Sequence, residues 1–232
     1  MSQHVLITGA NRGLGLEYVR QYLADDWQVT AACRQPEKAH DLNALAASAS
    51  DRLTVQPLDV TDDRQIDNLR ASVAATPVDV LINNAGIFGQ TRGGFGATDY
   101  AAWQQAFQVN VMAVMRMMEV FADAVAASRH KTIVNMTSKM GSIADNGSGG
   151  MVVYRSTKAA LNAATVSAAI DLKPRDIRVV ALHPGWVRTD MGGPNALIDA
   201  AESVTGMRRV IAELTTAQSG AFLDYKGQTV PW

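Results

Sequence analysis

Thr8-Gly9-Ala10-Asn11-Arg12-Gly13-Leu14-Gly15 directly follows the apolar run Val5-Leu6-Ile7 and opens a helical pattern whose apolar side includes Val19 and Leu23. Glycine lets the backbone turn tightly and approach a ligand, and the N–H groups at a helix start favour negative charge. A strand, a glycine turn and a helix in this order make a diphosphate-binding corner of an α/β sheet. The spacing is wider than G-x-G-x-x-G, with three residues between Gly9 and Gly13.

Short β-branched runs alternate with helical patterns along the rest of the chain. Val29-Thr30-Ala31-Ala32-Cys33 and Leu53-Thr54-Val55 read as the second and third strands, and residues 78–83, 132–136, 177–182 and 221–223 as four more. Several of these runs are continuously apolar, as strands covered on both faces are. The segments between them are long enough for crossover helices. Thr61 is expected to cap one, with Asp62 and Asp63 at the positive end of its dipole and Ile66, Leu69 and Val73 at helical spacing. A second helix carries Trp103, Phe107, Val114, Met118 and Phe121 on one stripe, and another spans about residues 152–172. This rhythm predicts a doubly wound α/β fold, a seven-stranded, mostly parallel sheet with helices on both faces. Segments 88–98 and 138–150, rich in Gly and small polar residues, read as loops.

The 232 residues fit a single domain, 1–232, large enough to bury a core without disulfides or metal. Lys and Arg number 21 against 22 Asp and Glu, a formal charge of −1 that argues against a nucleic-acid partner. A composition 47% hydrophobic and 19% charged excludes general disorder. Cys33 is the only cysteine, so neither an intramolecular disulfide nor a multi-cysteine zinc site can form. With no run of about 20 apolar residues and no basic leader before a cleavage site, a cytoplasmic protein without a membrane span is expected.

The pattern T-G-x-x-x-G-x-G resembles the dinucleotide-binding turn of the short-chain dehydrogenase/reductase family, and further motifs of that family follow in order over nearly the whole chain. Asn83-Asn84-Ala85-Gly86 ends the fourth strand, where the family has N-N-A-G. Asp59, in Leu58-Asp59-Val60, matches the acidic residue that the family uses near the adenine. Pro184-Gly185, with Val187 and Thr189, matches the segment that holds the nicotinamide amide and the diphosphate. The resemblance implies a Rossmann-like domain binding NADP(H) through Thr8, Gly9, Asn11, Arg12, Gly13, Leu14, Gly15, Arg34, Asp59, Val60, Asn84, Ala85, Gly86, Tyr154, Lys158, Pro184, Gly185, Val187 and Thr189. Choice of NADP over NAD rests on charge. Cys33-Arg34 ends the second strand with no Asp or Glu to bind a ribose 2′-hydroxyl, and Arg12 lies inside the glycine turn. Two guanidinium groups can clamp a phosphate.

In Tyr154-Arg155-Ser156-Thr157-Lys158 a phenol and an ammonium stand four residues apart, on one face of a helix. A free tyrosine titrates near ~10, and a neighbouring cation is expected to lower that value toward a useful range. The pair matches the family's catalytic Y-x-x-x-K. Ser138 closes the fifth strand and matches the serine that hydrogen-bonds the substrate oxygen, although fifteen residues lie between it and Tyr154. Ser142, nearer in sequence, competes for that role. Asn110 shares an apolar stripe with Trp103, Phe107 and Val114. It matches the asparagine that holds a water linking the lysine to solvent; a buried amide that only stabilises its helix is the alternative. The implied catalytic set is Asn110, Ser138, Tyr154 and Lys158, with no metal.

His183 reads as a strand-end residue rather than a second acid–base group. Met112, Met115, Met117 and Met118 share a helix and read as packing or subunit contacts, and the resemblance implies a homodimer or homotetramer. Loops at about 88–100, 139–151 and 189–202 are expected to bind substrate, with Met140, Ile143, Met151, Trp186 and Met191 lining a mostly apolar pocket. Segments 139–146, 183–194 and 223–232 resemble the C-factor-like carbonyl reductase branch of the family. The expected reaction is hydride transfer between NADPH and the carbonyl, or alcohol, of a small hydrophobic compound. The same resemblance leaves a second reading open: an NADP(H)-binding signalling or regulatory protein with incidental turnover.

Overall fold

Strands that are apolar on both faces need cover above and below, and the chain supplies it by alternating strand and helix. The structure is a computed structural model describing residues 2–73, 76–90 and 94–232. The expected loop at 88–100 is thus described except for residues 91–93, and the N-terminal Met1 also lies outside the described residues. The elements run β1 His4–Thr8, α1 Gly13–Ala24, β2 Gln28–Cys33, α2 His40–Ser48, β3 Leu53–Pro57, α3 Asp63–Ser72, β4 Val80–Asn83, α4 Tyr100–Phe107 and α5 Ala113–Ala126. They continue through β5 Thr132–Met136, α6 Val152–Asp171, β6 Arg178–His183, α7 Ala200–Glu213 and β7 Phe222–Asp224. The seven strands form one sheet in the order β3-β2-β1-β4-β5-β6-β7. Every ladder in it is parallel. The chain therefore starts mid-sheet, winds outward to β3, then crosses back to lay β4 on the other side of β1.

Side chains alternate across the sheet as a two-residue period requires. Val5, Ile7, Val80, Ile82, Val134, Val180 and Leu182 pack with Leu16 and Val19 of α1 and Met207 of α7. Leu6, Leu81, Ile133 and Val179 face the opposite layer, formed by Ile66 of α3, Phe121 of α5 and Leu161 of α6. Each fully buried side chain of this size contributes ~1.5–3 kcal/mol, so the sheet is a firm base for whatever stands on its edge. Because all strands point the same way, their C-terminal ends and the loops that follow share one edge, divided by the switch point between β1 and β4.

Two local expectations are corrected. Asp62, not Thr61, caps α3, because its carboxylate accepts from the N–H groups of Arg64 and Gln65, whereas the Thr61 hydroxyl donates to Asp59. The long stripe from Trp103 to Phe121 lies on two helices, joined by a π-helical turn at Gln108–Met112 that holds Asn110 fully buried. Such widened turns add one residue to the helical repeat and frequently mark functional sites. The methionines also divide: Met117 and Met118 are in the core, whereas Met112 is 63% exposed.

Candidate active site

The floor of the site is a stitched junction of β1 and β4. The Thr8 hydroxyl accepts from the N–H groups of Asn84 and Ala85, both at 3.0 Å. The Asn84 amide returns two hydrogen bonds, to the carbonyls of Thr8 at 2.9 Å and Gly9 at 3.1 Å. Gly9 adopts φ +65°, where a side chain is strained. A Cβ on Gly15 would stand 2.2 Å from the Gly9 carbonyl oxygen, so only glycine lets α1 start this close to the turn. Arg12 caps α1 with extended backbone and no side-chain cap, which leaves the helix's first N–H groups without a side-chain partner. A cradle that excludes Cβ atoms beside uncapped amides fits a diphosphate. Asn11 is exposed beside it, and Leu14 turns inward against the core.

On the β2 side, Ala10 N–H donates to the Ala32 carbonyl and brings the turn against the strand end where Arg34 is exposed. The Asp59 carboxylate accepts from the N–H and hydroxyl of Thr61, with the half-buried Val60 between them. On the β6 side, Ser203 donates to the Pro184 carbonyl and Gly185 takes φ +84°. Val187 is buried and bridges Ile198. The Thr189 methyl lies 3.5 Å from where a Cβ of Gly13 would be, so this loop reaches over the glycine turn. Arg12 and Asp190 close the gap with a 2.7 Å ion pair. Arg12, expected to clamp a phosphate together with Arg34, is here turned to a carboxylate.

The catalytic candidates converge on the other side of the switch point. Tyr154 and Lys158 occupy successive turns of α6, as their spacing requires, and both are buried. Lys158 Nζ donates to the Met136 carbonyl at 2.8 Å and stands 5.7 Å from the centroid of the Tyr154 ring. The Ser138 side chain lies close enough to the Tyr154 phenol to favour its charged form, and its hydroxyl accepts from Met140 N–H. Ser142 instead accepts from Asp145 N–H inside its own loop, so Ser138 is the serine brought to the tyrosine. Gly86 completes the cluster: a Cβ there would be 3.3 Å from Asn110 Oδ1 and 3.6 Å from Lys158 Nζ. The Asn110 amide is engaged with the chain itself, accepting from Ile87 N–H and donating to the Ile87 carbonyl and the Thr157 hydroxyl. It fixes the segment after N-N-A-G beside Lys158.

The electrostatics correct one expectation. Burial pushes the Tyr154 phenol up to about 12, and the Ser138 side chain only opposes this. Burial also pulls the Lys158 ammonium down to about 8. Desolvation disfavours both charged forms, so the phenol keeps its proton at neutrality. His183 is likewise held neutral, pulled down to about 4 mainly by burial. Its Nδ1 is buried without a hydrogen-bond partner.

Several site features are not readable from residue types. Phe88 packs its ring against Tyr154 with centroids 4.5 Å apart, although it belongs to a segment rich in Gly and small polar residues. Met151 enters α6 in the left-handed region at φ 49°, a conformation seldom taken by methionine. The C-terminal segment doubles back along β7, and the Trp232 carbonyl accepts from Ala144 N–H at 2.8 Å, tying the tail to the loop after Ser138. Of the expected pocket side chains, Met140 and Met151 are half-buried, whereas Ile143, Trp186 and Met191 are exposed on the loops of the same edge.

A doubly wound sheet with a glycine turn at its switch point and a Ser–Tyr–Lys cluster beside it defines a dinucleotide-dependent oxidoreductase class. The chain belongs to the short chain dehydrogenase family, whose sequence model matches residues 3–197. It is 45% identical to C-signal of Myxococcus xanthus over 161 residues, 69% of this chain and 96% of that protein. Among solved structures it is similar to NADPH-bound carbonyl reductase from chicken fatty liver, with 32% identity, a TM-score of 0.92, and coverage of 100% of this chain and 99% of that one. It is also similar to carbonyl reductase Sniffer of D. melanogaster, with 32% identity, a TM-score of 0.91 and 100% of both chains covered.

Proposed function

We propose that this protein is an NADP(H)-dependent carbonyl reductase acting on small, mainly apolar aldehydes or ketones. The observation that carries the reading is the meeting of Ser138, Tyr154 and Lys158 with Gly86 at the edge of a dinucleotide-type cradle. When bound, the reduced nicotinamide supplies the hydride. Residues 8–15, 84–86 and 184–189 hold the dinucleotide, with Arg12 and Arg34 meeting the 2′-phosphate and Asp59 on the adenine side.

The residues of the chain manage the oxygen and its proton. Ser138 donates a hydrogen bond to the substrate carbonyl oxygen and so orients it against Tyr154. As the carbonyl carbon gains its new C–H bond, the Tyr154 O–H bond breaks and its proton passes to the carbonyl oxygen, giving the alcohol. A phenol held protonated by burial up to about 12 is loaded for this direction. The phenolate left behind is unstable in a dry site without a nearby cation, and Lys158, charged below about 8, supplies one. Asn110 positions the Gly86–Ile87 segment against Lys158. The exposed apolar side chains of Ile143, Trp186 and Met191 favour an apolar substrate.

The test is sustained oxidation of NADPH with a panel of ketones, aldehydes and quinones, and its loss in Tyr154→Phe. The 45% identity with C-signal favours a second reading, a dinucleotide-binding signalling protein whose turnover is incidental. Dinucleotide binding with no turnover across the panel selects that reading.

A further inference from the structure

The ion pair across the cradle has a consequence for cofactor choice. We propose that Asp190 is a specificity-determining residue, an internal competitor with the 2′-phosphate of NADP(H) for Arg12. The proposal rests on the assignment of Arg12 as a phosphate ligand. Arg12 lies in the glycine turn, 178 residues from Asp190 in the chain, yet their side chains meet at 2.7 Å. The placement of Asp190 is built rather than incidental. Thr189 accepts from Gly192 N–H at its hydroxyl and from Gly193 N–H at its carbonyl, so Asp190 sits at the tip of a closed turn. That turn is tight: a Cβ on Gly192 would stand 1.9 Å from the Val187 carbonyl oxygen. The Thr189 methyl then seats the turn over Gly13, which delivers the Asp190 carboxylate to Arg12.

Arg34, at the end of β2, is exposed and has no ion pair among the described residues. The glycine turn and the end of β2 thus each carry a guanidinium group, and Asp190 brings a carboxylate to the first. A phosphate monoester carries more negative charge than a carboxylate and can engage both cations, so it displaces Asp190 from Arg12. A bare ribose hydroxyl is uncharged and has no such power over the pair. Asp190 therefore weakens NADP(H) binding while leaving NAD(H) binding untouched, narrowing the selectivity that the arginines create. The side chains of the pair are 67% and 76% exposed, so the effect is small, within the range of surface ion pairs.

Calorimetric titration of NADPH and NADH against the wild type, Asp190→Asn, Arg12→Ala and the double variant tests this without reference to turnover. In low salt, Asp190→Asn is expected to lower the Kd for NADPH by ~2–5-fold and leave that for NADH unchanged. The gain should vanish at about 0.5 M salt and be absent when Arg12 is already alanine. An equal shift for both dinucleotides, a gain that persists in the Arg12→Ala background, or no shift at all overturns the proposal. If Arg12→Ala leaves the ratio of NADPH to NADH affinity unchanged, the assignment of Arg12 itself is wrong, and the competition falls with it.

Discussion

Replacing Lys158 with methionine is expected to stabilise the folded protein while nearly abolishing turnover. The ammonium is buried, and its value falls from 10.5 to about 8 through burial. At ~1.4 kcal/mol for each tenfold change in proton affinity, that difference costs the fold about 3 kcal/mol at pH 7. Methionine keeps an unbranched apolar stem and removes this cost. It also strips the Met136 carbonyl of the 2.8 Å bond from Nζ, a loss of about 1 kcal/mol. The net gain is about 2 kcal/mol, measurable as a rise in urea midpoint. The dependence on pH identifies the cause. Below about 8 the lysine is protonated both folded and unfolded, and the full cost is present. Between about 8 and 10.5 the folded state has released its proton while the unfolded state keeps it, so wild-type stability rises with pH relative to the variant. Above 10.5 both states are neutral and the burial cost disappears, leaving only the lost hydrogen bond. Urea titrations of both proteins at pH 7 and about pH 10.5 decide the matter. A variant less stable than wild type at pH 7, or a stability difference that does not change with pH, refutes the reasoning.

Tyr154→Phe should lower the reduction rate by ~10²–10⁴ while calorimetric NADPH binding persists, since only the proton donor is removed. The reductive rate should decline as pH rises through about 8, where Lys158 loses its charge, and not wait for Tyr154 near about 12; a pH–rate profile flat from 7 to 10 contradicts this. Gly15→Ala should abolish dinucleotide binding and lower stability by ~1–3 kcal/mol, because its methyl would press on the Gly9 carbonyl and Asn84 amide, 2.2 and 2.7 Å away. Calorimetry and thermal unfolding of that variant measure the two effects.

The sheet was legible because several of its strands are continuously apolar and two of them run straight into a motif. Val5 to Thr8 runs straight into the glycine turn, and Val80 to Asn83 into N-N-A-G. Strand and helix boundaries shifted by a residue or two where caps decided them. Thr61 and Asp62 are both capping residues by type, and only the claim of Asp59 on the Thr61 hydroxyl shows why Asp62 does the capping. The meeting of Tyr154 with Lys158 follows from helical spacing, and the nearness of Ser138 to Tyr154 from its place at a strand end. The charge state of the phenol was not legible. Residue types show that a cation is near, whereas burial depends on how Phe88 and the loop after β5 close over the ring. The π-helical turn at Asn110 was equally hidden, since an apolar stripe reads the same whether or not one turn is widened.

The four hydrogen bonds joining Asn84 and Ala85 to Thr8 and Gly9 tie together the two strands on either side of the switch point. A platform bolted in this way is already shaped before any guest arrives, so little ordering remains for the guest to impose there. Accommodation of differently sized guests then falls to the overhanging loops, and residues near 143, 186 and 191 can be exchanged to retune what enters without loosening the ground on which the dinucleotide rests.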